Sequence, residues 1–407
     1  MTMDPTTAAV RAQYEQFPYP AVAQPEIRLG ADVRLLLSYG RLQRPGKRPL
    51  QCLDAGCGRG NLVLGAATTQ PDVQFTAIDI NRVALAAADA KARDLGLTNI
   101  RFHEVDLMTL AGLDVPPDGF DVVVSSGVLH HLASPEEGLR HLRRVLAPHG
   151  ILSLMVYAAS GREPLSRMVR AVDLLIGRDR PIAERLAMAR RLEREVVGDA
   201  LRVGPIVLSD AIADNEFVDR YLNVNETSYD VASLWRLLET CGLKFLRWVE
   251  PADWEVPARA PGGAGLAAGL TELQRCQLVE QVSWRHRLEL VACTDANGPR
   301  ERLSPAACPT AWFAMNPEAS IVVELRNLRG DQRVESIGYK LRARPVAALT
   351  GLTASVLLTL KDQTTPFQGA ELLRGLAANR IGAEQALGVL ADLVEREIVF
   401  ALHPSDR

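Results

Sequence analysis

The chain has 407 residues, of which 47% are hydrophobic and 23% charged, and this is enough for two or three domains with buried cores. Its formal net charge of -3 gives no reason to expect nucleic acid or an anionic membrane as a partner. No apolar run reaches the roughly 18 residues that a membrane span needs, and the N-terminal residues do not have the pattern of an export signal. We therefore expect a cytoplasmic protein whose six cysteines are buried or free thiols.

The first predicted element is a short helix that ends at Phe17, because prolines follow and cannot continue it. Three aromatic side chains, Tyr14, Phe17 and Tyr19, fall within six residues of a chain that is only 5% aromatic. These rings either cover a bound cation or fix the N-terminal segment to the core, and both roles require packing beside a sheet. A second helix is predicted over residues 31–42.

A glycine-rich turn follows the first predicted strand. The sequence Leu-Asp-Ala-Gly-Cys-Gly-Arg-Gly over residues 53–60 lies between an apolar run and a predicted helix that begins at Asn61. Glycines at every second position let the backbone turn tightly and approach a ligand closely. The N-terminus of the following helix offers unpaired N–H groups. The pattern is that of the first βα turn of a doubly wound sheet, where nucleotides bind.

Three acidic residues accompany this turn at informative positions. Asp54 precedes the first glycine, Asp79 lies near the end of the second predicted strand, and Asp106 lies where a third strand would end. A carboxylate in the position of Asp79 can accept hydrogen bonds from both hydroxyls of a ribose. A dinucleotide fingerprint would need its third glycine at position 61, where Asn61 stands, so an NAD-dependent oxidoreductase is disfavoured.

Strands and helices alternate regularly up to Tyr157, as a doubly wound sheet requires. The stretch 120–126 is centred on the apolar run Val122–Val124, which is typical of a strand buried on both faces. Apart from the first strand and the glycine turn, the predicted elements of this region are strands 75–80, 100–105, 120–126 and 151–157 and helices 61–68, 83–95 and one that begins at Pro135.

These motifs resemble the class I S-adenosylmethionine-dependent methyltransferases, and the resemblance covers at least residues 50–157. The pattern Tyr-x-x-Phe-Pro-Tyr-Pro over residues 14–20 and the stretch 217–242 are similar to a bacterial subgroup that includes protein-lysine methyltransferases. The resemblance implies S-adenosyl-L-methionine as the cofactor. The cofactor-binding residues that it implies are Tyr19, Asp54, Gly56, Gly58, Gly60, Asp79, Ile80, Asp106, Leu107, Ser125 and His130.

Regular alternation stops after Tyr157. Residues 161–199 mix arginines with acidic residues, which predicts helices with solvated outer faces in the place where related enzymes insert a cap. Two further strands, 244–250 and 289–294, would complete the sheet. The predicted fold class is therefore α/β: a seven-stranded doubly wound, Rossmann-like sheet with one antiparallel edge strand and a helical cap insertion.

Two Gly- and Pro-containing linkers, 257–269 and 295–299, indicate where the chain changes domain. Beyond them, two strands (320–325 and 335–342), three helices and a terminal strand resemble a degenerate winged helix. Residues 300–407 hold 13 Lys and Arg against 12 Asp and Glu, a net charge of +1, whereas a DNA-binding module is usually strongly basic. We therefore expect no nucleic acid there, and instead a protein contact, for example in a homodimer.

The predicted domains are an N-terminal helical lid, a cofactor-binding core, a cap, the closing strands of the core and a winged-helix-like C-terminal domain. Their predicted boundaries are 1–49, 50–160, 161–242, 243–295 and 300–407, in that order.

Methyl transfer is an in-line displacement, so the protein mainly has to align the acceptor with the methyl group. An ammonium acceptor must first lose a proton, which a nearby base can assist. We favour Tyr14, His130 and Tyr221 as catalytic residues, from a candidate set that also contains Tyr19, His131, Tyr157 and Asp219. No third ligand accompanies the two histidines in the sequence, so no metal site is predicted.

The sequence leaves the methyl acceptor open. The subgroup resemblance favours an amine, for example a protein lysine, and a cap with a separate C-terminal domain suits a protein substrate. A small-molecule N- or O-methyltransferase is the first alternative, since such enzymes also have caps. A non-catalytic regulator that retains a cofactor-binding sheet is the second.

Overall fold

The computed structural model describes residues 3–46, 48–197, 212–256, 264–301, 304–317, 319–328, 331–341, 347–349, 351–360, 363, 365–377 and 382–403. The helices in chain order are α1 (Pro5–Gln16), α2 (Val33–Tyr39), α3 (Asn61–Thr69), α4 (Arg82–Asp94), α5 (Pro135–Val145), α6 (Ala159–Ile176), α7 (Ile182–Leu192), α8 (Asp214–Tyr221), α9 (Val231–Thr240), α10 (Glu272–Val282), α11 (Gly351–Leu360), α12 (Gly369–Ala377) and α13 (Ala383–Glu395). The strands are β1 (Leu50–Ala55), β2 (Val73–Asp79), β3 (Ile100–Glu104), β4 (Phe120–Ser126), β5 (Leu146–Tyr157), β6 (Leu243–Trp248), β7 (Arg287–Thr294), β8 (Trp312–Met315), β9 (Ala319–Leu328), β10 (Asp331–Leu341), β11 (Ala347–Leu349), β12 (Phe367–Gln368) and β13 (Val399–Leu402). Among these helices, none has both the length and the apolarity needed to cross a bilayer.

The central feature is a seven-stranded sheet with strand order β3-β2-β1-β4-β5-β7-β6. The first five strands pair in parallel, whereas β7 is antiparallel to both of its neighbours. The predicted doubly wound α/β fold is thus confirmed. The position of the reversed strand was wrong: β7 lies between β5 and β6, and the edge strand β6 runs in the same direction as β5.

The direction of β7 decides which residues reach the ligand-binding edge of the sheet. In a doubly wound sheet this edge is formed by the carboxyl ends of the parallel strands. Because β7 is reversed, its first residue, Arg287, pairs with Tyr157, the last residue of β5. The segment that enters β7 therefore lies at the same edge as the glycine turn that leaves β1.

The sheet is covered by apolar helix faces. The side chains of β4 from Phe120 to Ser125 are all buried, as predicted for a central strand. Leu139 and Leu142 of α5 and Leu234 and Leu238 of α9 pack against this core. The helices begin at polar caps: the Asn81 side chain accepts from two N–H groups of α4 and Asp230 forms a capping box with Ser233 at the start of α9.

The predicted cap contains α6, α7 and α8, which share a separate apolar cluster. Met168 and Val172 of α6, Ala189 of α7 and Phe217 and Tyr221 of α8 are fully or almost fully buried there. The end of the predicted helical stretch, 198–199, lies outside the described residues, as do residues 200–211 and most of the predicted linker 257–269.

The chain forms two compact units, residues 1–31 with 49–296 and residues 32–48 with 297–407. The second unit contains a β11-β10-β9 sheet and a β12-β8-β13 sheet, and α11, α12 and α13 contribute to its apolar core. It is an additional α+β domain, as predicted. Helix α2 lies within the predicted N-terminal lid but belongs to this unit, where the His403 ring lies 2.9 Å from the Gly40 carbonyl. The other domain boundaries stay predictions.

Candidate active site

The glycine turn after β1 has a backbone that only glycine adopts readily. Gly56, Gly58 and Gly60 have φ angles of +86°, +53° and +77°. The N–H groups of Gly56 and Cys57 both donate to the Ile78 carbonyl, at 2.8 and 2.9 Å, which ties the turn to the end of β2. The turn is thus held at the carboxyl edge of the sheet with its backbone close to the neighbouring strand.

Asp79 is fixed by the same turn. Its Oδ2 accepts from the N–H of Gly58 at 2.8 Å, and its Oδ1 accepts from the N–H of Asn81 at 2.8 Å. A carboxylate oxygen has two lone pairs, so each oxygen can accept another hydrogen bond. Asp79 is therefore oriented before any ligand binds, and it lines a cavity of about 580 Å³ that opens at this edge.

Asp54 lies in the same cavity, buried and only 5% exposed. Burial, followed by the nearby negative charge of Asp79, raises the pKa of Asp54 from its ordinary value of 3.8 to about 7. Two neighbouring carboxyls thus lie beside a glycine backbone that approaches the cavity. Such a set fits a ligand that brings a positive charge and sugar hydroxyls to this place.

Asp54 should make the stability of the ligand-free protein depend on pH. Because folding raises its pKa, the contribution of Asp54 is complete below its unfolded value of 3.8 and is lost as the pH rises through about 7. Asp54→Asn should therefore raise the free energy of unfolding relative to wild type by about 3 kcal/mol more at pH ~8 than at pH ~5. Denaturant titrations at the two pH values measure this, with the exposed Asp89→Asn as control. If the difference in free energy of unfolding between Asp54→Asn and wild type were the same at both pH values, the raised pKa of Asp54 would be contradicted.

Most of the predicted cofactor-binding residues come together at this cavity. Those that line it are Tyr19, Asp54, Gly56, Gly58, Asp79, Ile80, Asp106 and Leu107, and the predicted catalytic residue Tyr14 lines it too. The Asp106 Oδ1 accepts from the N–H of Met108 at 2.8 Å, which orients the carboxyl at the end of β3.

Four predicted site residues do not line the cavity. A Cβ on Gly60 would lie 3.0 Å from the Cβ of Ala88, so this glycine allows the turn to pack against α4. The Ser125 hydroxyl donates to the Ala55 carbonyl at 3.2 Å inside the sheet, and its neighbour Ser126 lines the cavity instead. The Tyr221 ring is fully buried in the cap core against Phe217, at a centroid distance of 4.6 Å.

His130, the fourth of them, packs in the interior. Its ring is fully buried between the rings of Tyr157 and His131, at centroid distances of 4.0 and 4.2 Å. Burial lowers the pKa of His130 well below its ordinary value, so the ring is neutral. The following residue, His131, lines the cavity. Of the two histidines, His130 thus packs in the interior and His131 lines the cavity.

The N-terminal segment covers the cavity. Thr7, Val10 and Tyr14 of α1 line it, at the spacing of one helix face. The segment that follows is bonded to the start of α3, because the Asn61 side chain accepts from the N–H of Gln24 at 2.9 Å and its carbonyl accepts from the N–H of Glu26 at 2.8 Å. Asn61 therefore anchors the cover at the position where a dinucleotide fingerprint would have glycine.

Beyond the glycine turn, a cluster of Tyr14, Tyr157, Asp219 and Asn223 forms the opposite part of the cavity; we call it the acid–tyrosine cluster. The Tyr14 hydroxyl donates to Asp219 Oδ1 at 2.8 Å and the Tyr157 hydroxyl donates to Oδ2 at 3.4 Å. The Asn223 amide donates to the Tyr14 oxygen at 3.1 Å. One buried carboxyl thus receives both tyrosine hydroxyls, which come from α1 and β5.

Burial favours the neutral form of each titratable group in and beside this cluster. It raises the pKa of Asp219, against the opposing hydrogen bond from Tyr14, and it raises the pKa of both tyrosines. It also lowers the pKa of His131 to about 4. His131 is therefore neutral near pH 7, with Nδ1 placed 2.9 Å from the Asn225 carbonyl.

Asp219, Tyr157 and His131 were among the sequence candidates but were not the favoured ones. The sequence contained no signal for Arg162, whose guanidinium lies 4.5 Å from the centre of the Tyr157 ring and forms a buried ion pair with Glu226. Among the described residues, no group of three or more His, Cys, Asp or Glu side chains could hold a metal ion.

Comparison with known proteins agrees with this geometry. A family model described as a methyltransferase domain matches residues 47–173. An uncharacterised protein of Synechococcus sp., syc1184_c, is 31% identical over 293 residues, which cover 68% of this chain and 69% of that protein. An uncharacterised methyltransferase of Mycobacterium tuberculosis, Rv0089, is 35% identical over 108 residues, or 26% of this chain. The chain spans only 51% of that relative's length.

Among solved structures, PKMT2 from Rickettsia typhi in complex with AdoHcy superposes with a TM-score of 0.64, covering 95% of this chain and 78% of that one. Its sequence identity is 15%, so the likeness concerns the fold. The buried acids and the glycine backbone of this chain fit S-adenosylmethionine, which brings a cation and a ribose. The chain belongs to the class I S-adenosylmethionine-dependent methyltransferases.

Proposed function

We propose that this methyltransferase transfers the methyl group to an amine, and that a protein lysine side chain is the acceptor. The observation on which the proposal rests is the acid–tyrosine cluster in the cofactor cavity. Asp219 is 4% exposed there, and both of its oxygens accept from tyrosine hydroxyls. A buried carboxyl in this position attracts an ammonium group and orients it.

The bound cofactor supplies an electrophilic methyl group. An amine with a free pKa near about 10.4 is mostly protonated at neutral pH, so it must lose a proton before its lone pair can attack. Asp219 can hold the ammonium and accept that proton at one of its oxygens. Because burial raises the pKa of Asp219, the carboxylate is a stronger base than an exposed one.

The aromatic rings around Asp219 suit an alkyl-ammonium chain. Tyr14, Tyr19 and Tyr157 line the cavity, and their ring faces attract cations by about 0.5–2 kcal/mol. Their hydroxyls can accept a hydrogen bond from the amine as it is deprotonated. We therefore assign the acceptor site to Tyr14, Tyr157 and Asp219, and we place His130 and Tyr221 in packing roles.

The similarities support a protein acceptor. Residues 14–20 and 217–242 resemble a subgroup that includes protein-lysine methyltransferases, and both segments contribute to the acceptor site. The similarity of fold to PKMT2 is consistent with membership of that subgroup. We also infer that residues 300–407, with their nearly neutral charge, contact a protein partner. Other relatives, such as a malonyl-[acyl-carrier protein] O-methyltransferase of Paenibacillus sp., represent the alternative of a different acceptor atom.

Incubation of the enzyme with radiolabelled cofactor and a cell extract tests the acceptor class. We expect label in the protein fraction, and in methyl-lysine after acid hydrolysis of that fraction. The rate should rise with pH through the neutral range, because the fraction of free amine grows. Label confined to small molecules, or to carboxylate or hydroxyl oxygens, would contradict the proposal and leave a different methyltransferase.

A further inference from the structure

We infer that the cavity contains an anion-binding subsite, which receives a carboxylate or phosphate group of the methyl acceptor. The subsite is formed by Arg220, Trp284, His286 and Arg287, which we call the basic cluster; all four line the cavity. The inference rests on the proposed function in one respect, namely that the acceptor amine occupies the acid–tyrosine cluster.

The basic cluster lies directly beside the acid–tyrosine cluster. Arg287 is the register partner of Tyr157 across the antiparallel β5–β7 pair. Arg220 follows Asp219 in α8, and its carbonyl accepts from the Arg162 guanidinium at 2.5 Å. The His286 carbonyl accepts from the N–H of Ala158 at 3.2 Å, which fixes the segment before β7 to the end of β5. The two clusters are therefore neighbouring parts of the same cavity lining.

The cluster contains more hydrogen-bond donors than its own partners use. Arg287 pairs with Glu289 at 3.0 Å and Arg220 pairs with Glu216, and neither glutamate lines the cavity. A guanidinium has five N–H groups, so each arginine has donors left for a ligand. The indole Nε1 of Trp284 is buried and has no acceptor among the described residues. A buried donor without a partner is costly. Because the Trp284 ring lines the cavity, a small rotation of the ring would bring this N–H to an anionic ligand.

Three arginines contribute positive charge near the His286 ring. The pKa of His286 is lowered first by burial and then by the positive charges of Arg287, Arg220 and Arg285. The carboxylates that pair with these three arginines, Glu289, Glu216 and Asp253, do not line the cavity. The Asp219 carboxyl, which does line it, already accepts from two tyrosine hydroxyls. The Trp284 and His286 rings are stacked at a centroid distance of 5.9 Å, and both residues line the cavity.

The acid–tyrosine cluster and the neighbouring basic cluster together suit an acceptor that carries both a positive and a negative group. An ammonium at Asp219 and an anion at Arg287 would belong to the same ligand. Two kinds of acceptor have this chemistry: a lysine beside an acidic or phosphorylated residue, and a small amino acid. Either source would place its anionic group in the basic cluster.

Calorimetric titration of the full-length protein loaded with S-adenosylhomocysteine tests the subsite, with inorganic phosphate and succinate as probes. We expect both anions to bind to wild type. Arg287→Gln and Trp284→Phe should each weaken binding about tenfold or more, the scale for hydrogen bonds to a charged group. Arg140→Gln, an exposed arginine of α5 paired with Glu136, is the matched control and should bind like wild type. Absence of binding, or unchanged binding by Arg287→Gln, would overturn the inference.

Methylation assays with peptides and with free lysine distinguish the two kinds of acceptor. They also test the anion subsite separately from the proposed function. We expect lysine peptides with a neighbouring glutamate or phosphoserine, or free lysine, to be methylated at least about tenfold faster than the alanine-flanked peptide. Arg287→Gln should lose this preference while its affinity for S-adenosylhomocysteine stays within about twofold. Equal rates for all peptides would refute the subsite and leave the amine acceptor standing. Anion binding with no methylation of any amine would support the subsite and refute the proposed function.

Discussion

Asp219→Asn should lower the rate of methyl transfer to an amine by about 100- to 10,000-fold, the usual range for loss of a general base. The affinity for S-adenosylhomocysteine should stay unchanged, because Asp79 and the glycine turn are separate from this residue. The amide can still accept one tyrosine hydroxyl, and burial disfavours the ionised carboxyl that it replaces. Thermal stability should therefore not fall. Kinetics on the labelled protein fraction, together with calorimetry and thermal unfolding, measure these three quantities.

The matched control for this variant is Asp89→Asn, an exposed carboxyl of α4 that pairs with Arg93. It should show the rate of wild type. If Asp219→Asn also kept that rate, Asp219 would be a packing residue of the cap, and the amine proposal would lose its principal support. A parallel loss of cofactor affinity and activity would point to a structural role instead.

Gly58→Val should reduce cofactor affinity by at least about 100-fold, which corresponds to about 2.7 kcal/mol. The Gly58 φ angle of +53° lies in the left-handed region, which disfavours a branched side chain by at least about 1–2 kcal/mol. Gly58 lines the cavity, so the valine methyl groups would occupy cavity space; apart from its chain neighbours, the nearest heavy atom to a Cβ there is the Tyr19 carbonyl oxygen, at 3.5 Å. Backbone strain in the glycine turn and occupation of the cavity by the new side chain should both lower the affinity for the cofactor.

Gly96→Val separates these two effects. Gly96 has a φ of +68°, and a Cβ there would meet no heavy atom within 4 Å. The two variants should therefore lose similar amounts of stability, whereas only Gly58→Val should lose binding of S-adenosylhomocysteine by calorimetry. Equal loss of binding in both would mean that general destabilisation, rather than the cavity, explains the effect at Gly58.

The sequence by itself determined the fold class and which glycine and acidic residues would meet at the carboxyl edge of the sheet. The glycine turn and the acids after β1, β2 and β3 are local features, because each follows its own strand and the carboxyl ends of parallel strands meet at one edge. The apolar run Val122–Val124 was enough to predict that β4 is buried on both faces. For the same reason Asp54, Gly58, Asp79 and Asp106 could be identified without coordinates, and the structure brings them to one cavity.

Only the tertiary structure decided the acceptor end. His130 and His131 are identical in type and adjacent, and the packing of one ring against Tyr157 leaves the other to face the cavity. Tyr221 and Asp219 lie two positions apart on α8, so helix rotation buries one in the cap and turns the other toward Tyr14. Arg287 reaches the site because β7 is reversed and lies next to β5, which depends on strand order. Helix rotation and strand order result from contacts between distant segments, and local patterns do not encode them.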